Sequence, residues 1–337
     1  MLTASWKRAL GRLRLPYVPR SDRMASPGFA AWRGENQEGR QAPVKDISAT
    51  GVYVLTDERW PEGELMTLTL QRQISPDLDS ELRVSIEAKV ARVGEDGIGL
   101  MLVPPDGINP GLWGVLLRNA VHLTDHKELL HTFRMIRAVL FLHRLCSASA
   151  DEAIVVIGGE LNALRTGVAF DIVYKAEKIL AEQAVGGRLH ASGHVAASIL
   201  RSGSWESDEL IERMWAGMLV SSGTHEESDE SSLEFVDMMT RITPIQARIF
   251  EAGCRKALET MQAGETVPRQ PVIVAPEEMI NLTDMFDLSR VATNVAYLFN
   301  HGLLKEVFDF TSYLPTESFN ITPTKLGLEL YRRCRLG

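Results

Sequence analysis

The apolar residues of this chain change period near residue 105, and that change constrains the fold more than any other feature. Before it, short runs such as "GVYVLT", "LMTLTLQR", "LRVSIEAKVARV" and "GIGLMLV" alternate apolar and polar positions and are rich in β-branched residues. In "LMTLTLQR", Leu65, Thr67 and Thr69 oppose Met66, Leu68 and Leu70, the pattern of a half-buried strand. The segments between these runs, "TDERWPEGE", "SPDLDS" and "GEDGIG", carry the Pro, Gly, Asp and Ser of turns, and the last is a hairpin signal. A small antiparallel β-barrel or sandwich follows from this spacing.

After "PPDGINPG" the period becomes helical. "LWGVLLRNAVHLTDHKELLHTFRMIRAVLFLHRL" fits one long helix or two, and "AIVVIGG" fits either a strand or a buried helical segment. In "VAFDIVYKAEKILAEQ", Val173, Ala176, Ile179 and Leu180 fall on one face. "SDELIERMWAGMLVSSG" offers Ser207 as an N-cap with acids in its first turn. Thr243 and Pro244 mark a helix start, and Thr322 and Pro323 repeat the device. The C-terminal stretch has the order helix, helix, short hairpin, helix of a winged-helix-like unit, with "SRVATNVAYLFNHGLL" in the recognition position. The fold class is therefore α+β: a small antiparallel β-barrel, then a mainly α-helical domain ending in a winged-helix-like unit.

At 337 residues the chain has room for both parts. Its net charge of -8 argues against a general nucleic-acid binder. Basic residues cluster at the start, with Lys7, Arg8, Arg12, Arg14, Arg20 and Arg23, while acids gather between Glu206 and Glu234. Cys146, Cys254 and Cys334 are odd in number and far apart, which suits a reducing compartment rather than a disulfide framework. No uninterrupted apolar run reaches bilayer length, so the chain is expected to be cytoplasmic without a membrane span.

"DISATGVYVL" raises the functional question, since a polar hook enters an alternating run. One reading is a loop entering a strand; the other is a loop gripping a ligand. Asp46 supplies two acceptors, Ser48 a donor and an acceptor, and Gly51 lets backbone or ligand approach closely. A carboxylate can accept from the ring N–H and exocyclic amine of guanine. Arginines upstream can grip phosphate or meet the guanine O6/N7 edge.

The stretch "VKDISATGVYVL", with the strands after it and a closing "GIGLMLV", resembles a PilZ domain. The resemblance implies a β-barrel that binds cyclic di-GMP through an RxxxR pair on an N-terminal arm and a [D/N]xSxxG motif. Asp46, Ser48 and Gly51 match the second motif. The first departs: in "PRSDRMASPGF", Arg20 and Arg23 are separated by two residues rather than three. The ligand set implied is Arg20, Arg23, Asp46, Ser48 and Gly51, with the arginines on phosphates and guanine and the motif reading a guanine edge. Residues from 16 to 103 carry an acidic excess, so an anion site there depends on the basic arm.

Three later segments, "ELIERMWAGMLVSSG", "FVDMMTRITPIQARIFEAG" and "NLTDMFDLSRVATNVAYLFNHGLLKEV" followed by "FNITPTKLGLELYRRC", resemble the abortive-infection alpha family over roughly 190–337. The expected organisation is a basic arm at 1–15, a PilZ-like barrel at 16–105, a helical region at 112–200, and an Abi-alpha-like region at 201–337. Charges on the recognition-position helix are sparse, Arg290 and His301, so a protein partner for the helical half is favoured over DNA.

Other constellations carry less. His122, His126 and His131 fall on a helical stretch with Asp125 and Glu128, and His190 and His194 share one-turn spacing, but neither set completes a metal site. "VIGGEL" is a turn and "GTHEESDESSLEF" a solvated loop; Cys254, Trp205 and Trp215 belong in a core. No catalytic constellation is evident, so no enzyme, metal or cofactor is expected beyond cyclic di-GMP as ligand. Two readings stand: a cyclic di-GMP signalling protein whose helical region relays the response, or a ligand-free docking barrel joined to a phage-defence-type effector region.

Overall fold

The computed structural model describes residues 24–25, 28–34, 40–48, 50–74, 81–105, 108, 110–147, 150–157, 161–182, 189–224, 231–262, 264–305 and 318–335. Within them lie nine strands and eleven helices, and the chain divides into two compact units near residue 143.

The first unit is built on β1 (Met24–Ala25), β2 (Phe29–Arg33), β3 (Ala42–Ser48), β4 (Gly51–Leu55), β5 (Leu65–Arg72), β6 (Arg83–Val93) and β7 (Gly97–Leu102). The antiparallel order β2–β5–β6–β7–β4–β3 closes back onto β2, a six-stranded barrel, and β1 adds to β3. Alternation sets the core: Val44, Ile47, Val52, Val54, Leu68, Leu70, Val84, Ile86, Ile98 and Leu100 are buried inside. Closure leaves no free edge along the main strands. The four expected strands are present, and "GEDGIG" is the β6–β7 hairpin, with Gly94 donating to the Gly97 carbonyl at 2.8 Å. β2 was not signalled, because "FAAWR" is buried at four of five positions and shows no alternation.

Two helices complete this unit, α1 (Pro110–His122) and the first part of α2 (His126–Cys146). The long helical stretch is thus two helices. Asp125 caps the second by accepting from the amides of Lys127 and Glu128, both at 3.0 Å. Leu117, Ala120 and Val121 of α1, with Phe133 and Ile136 of α2, cover the barrel end over Phe29, Ile47, Leu70 and Leu102. Arg72 of β5 fixes this cover: its buried guanidinium donates to the Ala120 carbonyl at 2.8 Å and lies over the Phe29 ring. Burial pushes the Arg72 pKa down, and the carbonyl end of α1 stabilises the charge in place of a carboxylate.

The second unit is helical: α3 (Ala150–Val155), α4 (Ala163–Glu182), α5 (Gly193–Gly203), α6 (Glu209–Thr224), α7 (Ser231–Met239), α8 (Pro244–Thr260), α9 (Pro276–Thr283), α10 (Leu288–Asn300) and α11 (Lys325–Cys334), with β8 (Ile273–Val274) and β9 (Phe319–Asn320). "AIVVIGG" begins as helix, not strand. α6 is its centre, with Met214, Trp215, Ala216, Met218, Leu219 and Val220 all buried. Val173, Ala176 and Leu180 of α4 face inward, as their spacing implies. Lys175 of α4 pairs with Glu212 of α6, placing a part-buried charge pair between two heavily packed helices.

The order α8, β8, α9, α10, Leu304, β9 is that of a winged-helix unit: β8 pairs with β9, and Leu304 bridges to Pro323 just beyond it. α10 occupies the recognition position. Thr243 caps α8 in a capping box with Gln246. Two cap expectations shift. The cap of α6 is Asp208, not Ser207, because its carboxylate accepts from the amides of Leu210 and Ile211. The cap of α11 is Thr324, not Thr322, whose hydroxyl instead accepts from the Val272 amide. Trp215 is a core anchor, but Trp205 is 75% exposed and lies beneath the Arg165 guanidinium.

Candidate nucleotide-binding site

The polar hook is not an irregular loop. Asp46 and Ser48 belong to β3 itself, and a tight connection pairs Ser48 directly with Gly51 at the start of β4. The three motif residues do different work there. The Ser48 hydroxyl donates to the Gly51 carbonyl at 3.1 Å and accepts from the Gly51 amide at 3.2 Å, so it closes the turn. Gly51 lies against β7: a Cβ there would stand 2.7 Å from the Leu100 carbonyl oxygen. Asp46 is half-buried and pairs across the sheet with Tyr53.

Beside Asp46 the outer face of the barrel carries a charged aromatic cluster that the sequence reading missed. Asp96, in the β6–β7 hairpin, accepts from Lys45 Nζ at 2.5 Å and from the Tyr53 hydroxyl at 2.8 Å. The Lys45 ammonium stands 5.3 Å from the Tyr53 ring centroid and the Arg92 guanidinium 5.4 Å. Hydrogen bonds from Lys45 and Tyr53 hold the Asp96 carboxyl below the usual carboxylate range. The same Asp96 contact raises the pKa of Lys45 and of Tyr53 above their ordinary values. At neutral pH the cluster is two cations, one carboxylate and a neutral phenol. The signal that marked it is "GIGLML", since a glycine inside a strand leaves room for something lying across it.

Arg20 and Arg23 lie outside the described residues. The candidate metal sets do not assemble as helical pairs. His122 ends α1 and His126 begins α2, and His190 precedes α5 while His194 lies within it. His194 stands 3.4 Å from Glu152. Among the described residues no three His, Cys, Asp or Glu side chains gather as a metal site. Cys146, Cys254 and Cys334 are buried, and burial pushes the Cys146 thiol up to about 12. No described helix is long and apolar enough to cross a membrane.

The first unit is a closed antiparallel barrel with this motif at its β3–β4 turn, which is the architecture the PilZ resemblance implies. Residues 19–110 match the PilZ domain model, and residues 171–334 match the Abortive infection alpha model. Both resemblances read from the sequence are found, the second beginning earlier than expected, inside α4. No curated protein matches the chain. The PilZ match implies a receptor or regulatory role for the first unit.

Proposed function

We propose that this chain is a cyclic di-GMP-binding signalling protein, in which the barrel senses the dinucleotide and the helical region relays the response to a protein partner. The observation that carries it is the placement of Asp46. Its carboxylate sits on the outer face of the barrel, next to Tyr53, with two cations within reach of that ring. A guanine edge offers the N–H donors a carboxylate needs. Arg20 and Arg23 join from the arm, and Ser48 acts by holding the turn. The chain works without catalysis, in the cytoplasm.

The relay has a short path. Ile47 and Ser48 line the apolar space under α1 and α2, so a ligand that tightens the β3–β4 turn acts on the packing of those helices. Such a ligand shifts the equilibrium only by its preference for the tightened state. Among the described charges of α10, Arg290 is the sole Lys or Arg, which favours a protein surface over DNA for the winged-helix unit.

Two observations favour the ligand-free docking reading: the Arg20 and Arg23 spacing departs from the family pattern, and Ser48 and Gly51 are both accounted for by the fold alone. A thermal-shift titration with cyclic di-GMP separates the two. The signalling reading expects the melting temperature to rise with ligand in the native chain and not in Asp46→Ala. No rise in the native chain supports the docking reading.

A further inference from the structure

The outer face beside Asp46 holds a second feature aimed at the same place. Directly paired residues of an antiparallel sheet share a face, so the register Asp46↔Tyr53, Tyr53↔Gly99, Gly99↔Arg92 defines one row across β3, β4, β7 and β6. Two β-bulges create that row. One lies between Val44 and Asp46, the other between Val90 and Arg92. Val44 and Val90 are buried inside the barrel. Strict alternation would turn Asp46 and Arg92 inward as well; the extra residue in each strand turns both outward. Bulges that re-aim a side chain are found beside functional sites more than elsewhere.

Gly99 completes the arrangement. A Cβ there would stand 2.8 Å from Arg92 Cγ, so the missing side chain is the channel in which the Arg92 stem lies. The head is thereby carried to the Tyr53 ring, one strand from Asp46. Among the described residues the guanidinium has this ring contact and no hydrogen-bond acceptor, although Asp96 lies on the same ring's hydroxyl. Its planar fork of donors is therefore available to a ligand.

We propose that Arg92 is a specificity residue of the nucleotide site, taking the O6/N7 edge of a guanine whose N–H edge Asp46 accepts. The assignment rests on the cyclic di-GMP reading and extends it. Adenine presents an amine where guanine presents O6, so the contact selects guanine over adenine as well as adding affinity.

The test is equilibrium binding of cyclic di-GMP and cyclic di-AMP to the full chain, to Arg92→Ala, to Arg92→Lys and to Asp46→Ala, with thermal melts of each. Both residues lie on the outer face, and unchanged melting shows that the variants fold. The expected result is about a tenfold or greater loss of cyclic di-GMP affinity in Arg92→Ala. Preference over cyclic di-AMP should narrow with it, and Lys should fail to restore either, because an ammonium cannot make the paired contact. Full affinity in Arg92→Ala with binding lost in Asp46→Ala overturns this assignment and leaves the ligand reading standing. Full recovery by Arg92→Lys overturns the paired contact. No binding by the native chain overturns both.

Discussion

Asp46, Ser48 and Gly51 form one motif in the sequence, but the barrel gives each a separate physical task. Ser48 spends its hydroxyl on the turn, Gly51 its missing Cβ on the approach of β7, and Asp46 alone presents a side chain on the outer face beside Tyr53. Ser48→Ala should therefore cost about 1 kcal/mol of stability, the worth of a typical hydrogen bond. Chemical denaturation measures that cost. Asp46→Ala should weaken ligand binding much more than it weakens folding. The Asp96 cluster makes a second residue-scale prediction. The folded pKa of Asp96 is depressed, so its contribution is present above the ordinary carboxylate value and lost as pH falls through the folded value. Lys45 and Tyr53 are raised, so theirs is present below their ordinary values and lost as pH rises through the folded ones. The cluster is thus complete between about pH 4 and about pH 10. Phenolate absorbance should show one tyrosine titrating at lower pH in Asp96→Ala than in the native chain; identical curves would contradict the contact. Beyond the strand glycine Gly99, this cluster was not legible in sequence, because Lys45, Tyr53, Arg92 and Asp96 meet through sheet register and two bulges that leave no local pattern.

At the scale of elements, periodicity carried most of the fold. β4 to β7 follow from alternation, and α4 and α8 from their apolar faces and, for α8, its cap. What escaped is what periodicity does not encode. β2 is buried almost throughout, and Asp208 competes with Ser207 for the same cap through a single residue's offset. Trp205 was placed in the core by its size, yet it stands in solvent under Arg165, whose guanidinium is anchored by Ser204 and the Arg201 carbonyl. Close approach between elements gives a sharp test. Gly51→Ala should destabilise the barrel by about 1–3 kcal/mol, because the new methyl meets a backbone carbonyl that cannot swing away. Thr243→Ala should cost about 1 kcal/mol through loss of the α8 capping box, and should act on the second unit. Equal stability of either variant and the native chain in a denaturant titration would contradict these roles.

For the whole molecule, the boundary in pattern near residue 105 and the division in packing near residue 143 differ because α1 and much of α2 cap the barrel. That cap could not be read from helix periodicity alone, which tells that a helix has an apolar face but not which surface meets it. Arg72, buried against the end of α1, is its most specific link. Binding at the outer face should therefore be felt first within the PilZ-matched unit. Amide exchange is expected to slow at β3, β4 and the β6–β7 hairpin, and then in α1. Protection confined to residues 171–334 would contradict a barrel sensor. Ligand at about 100 times its dissociation constant should add about 2.7 kcal/mol to the stability of that unit. The most direct measurement is isothermal titration of the full chain with cyclic di-GMP beside Asp46→Ala. Saturable binding at one site is expected in the native chain and none in the variant. No heat from the native chain and no thermal shift at high ligand would contradict it, and "DISATG" would then be a strand turn in a docking barrel.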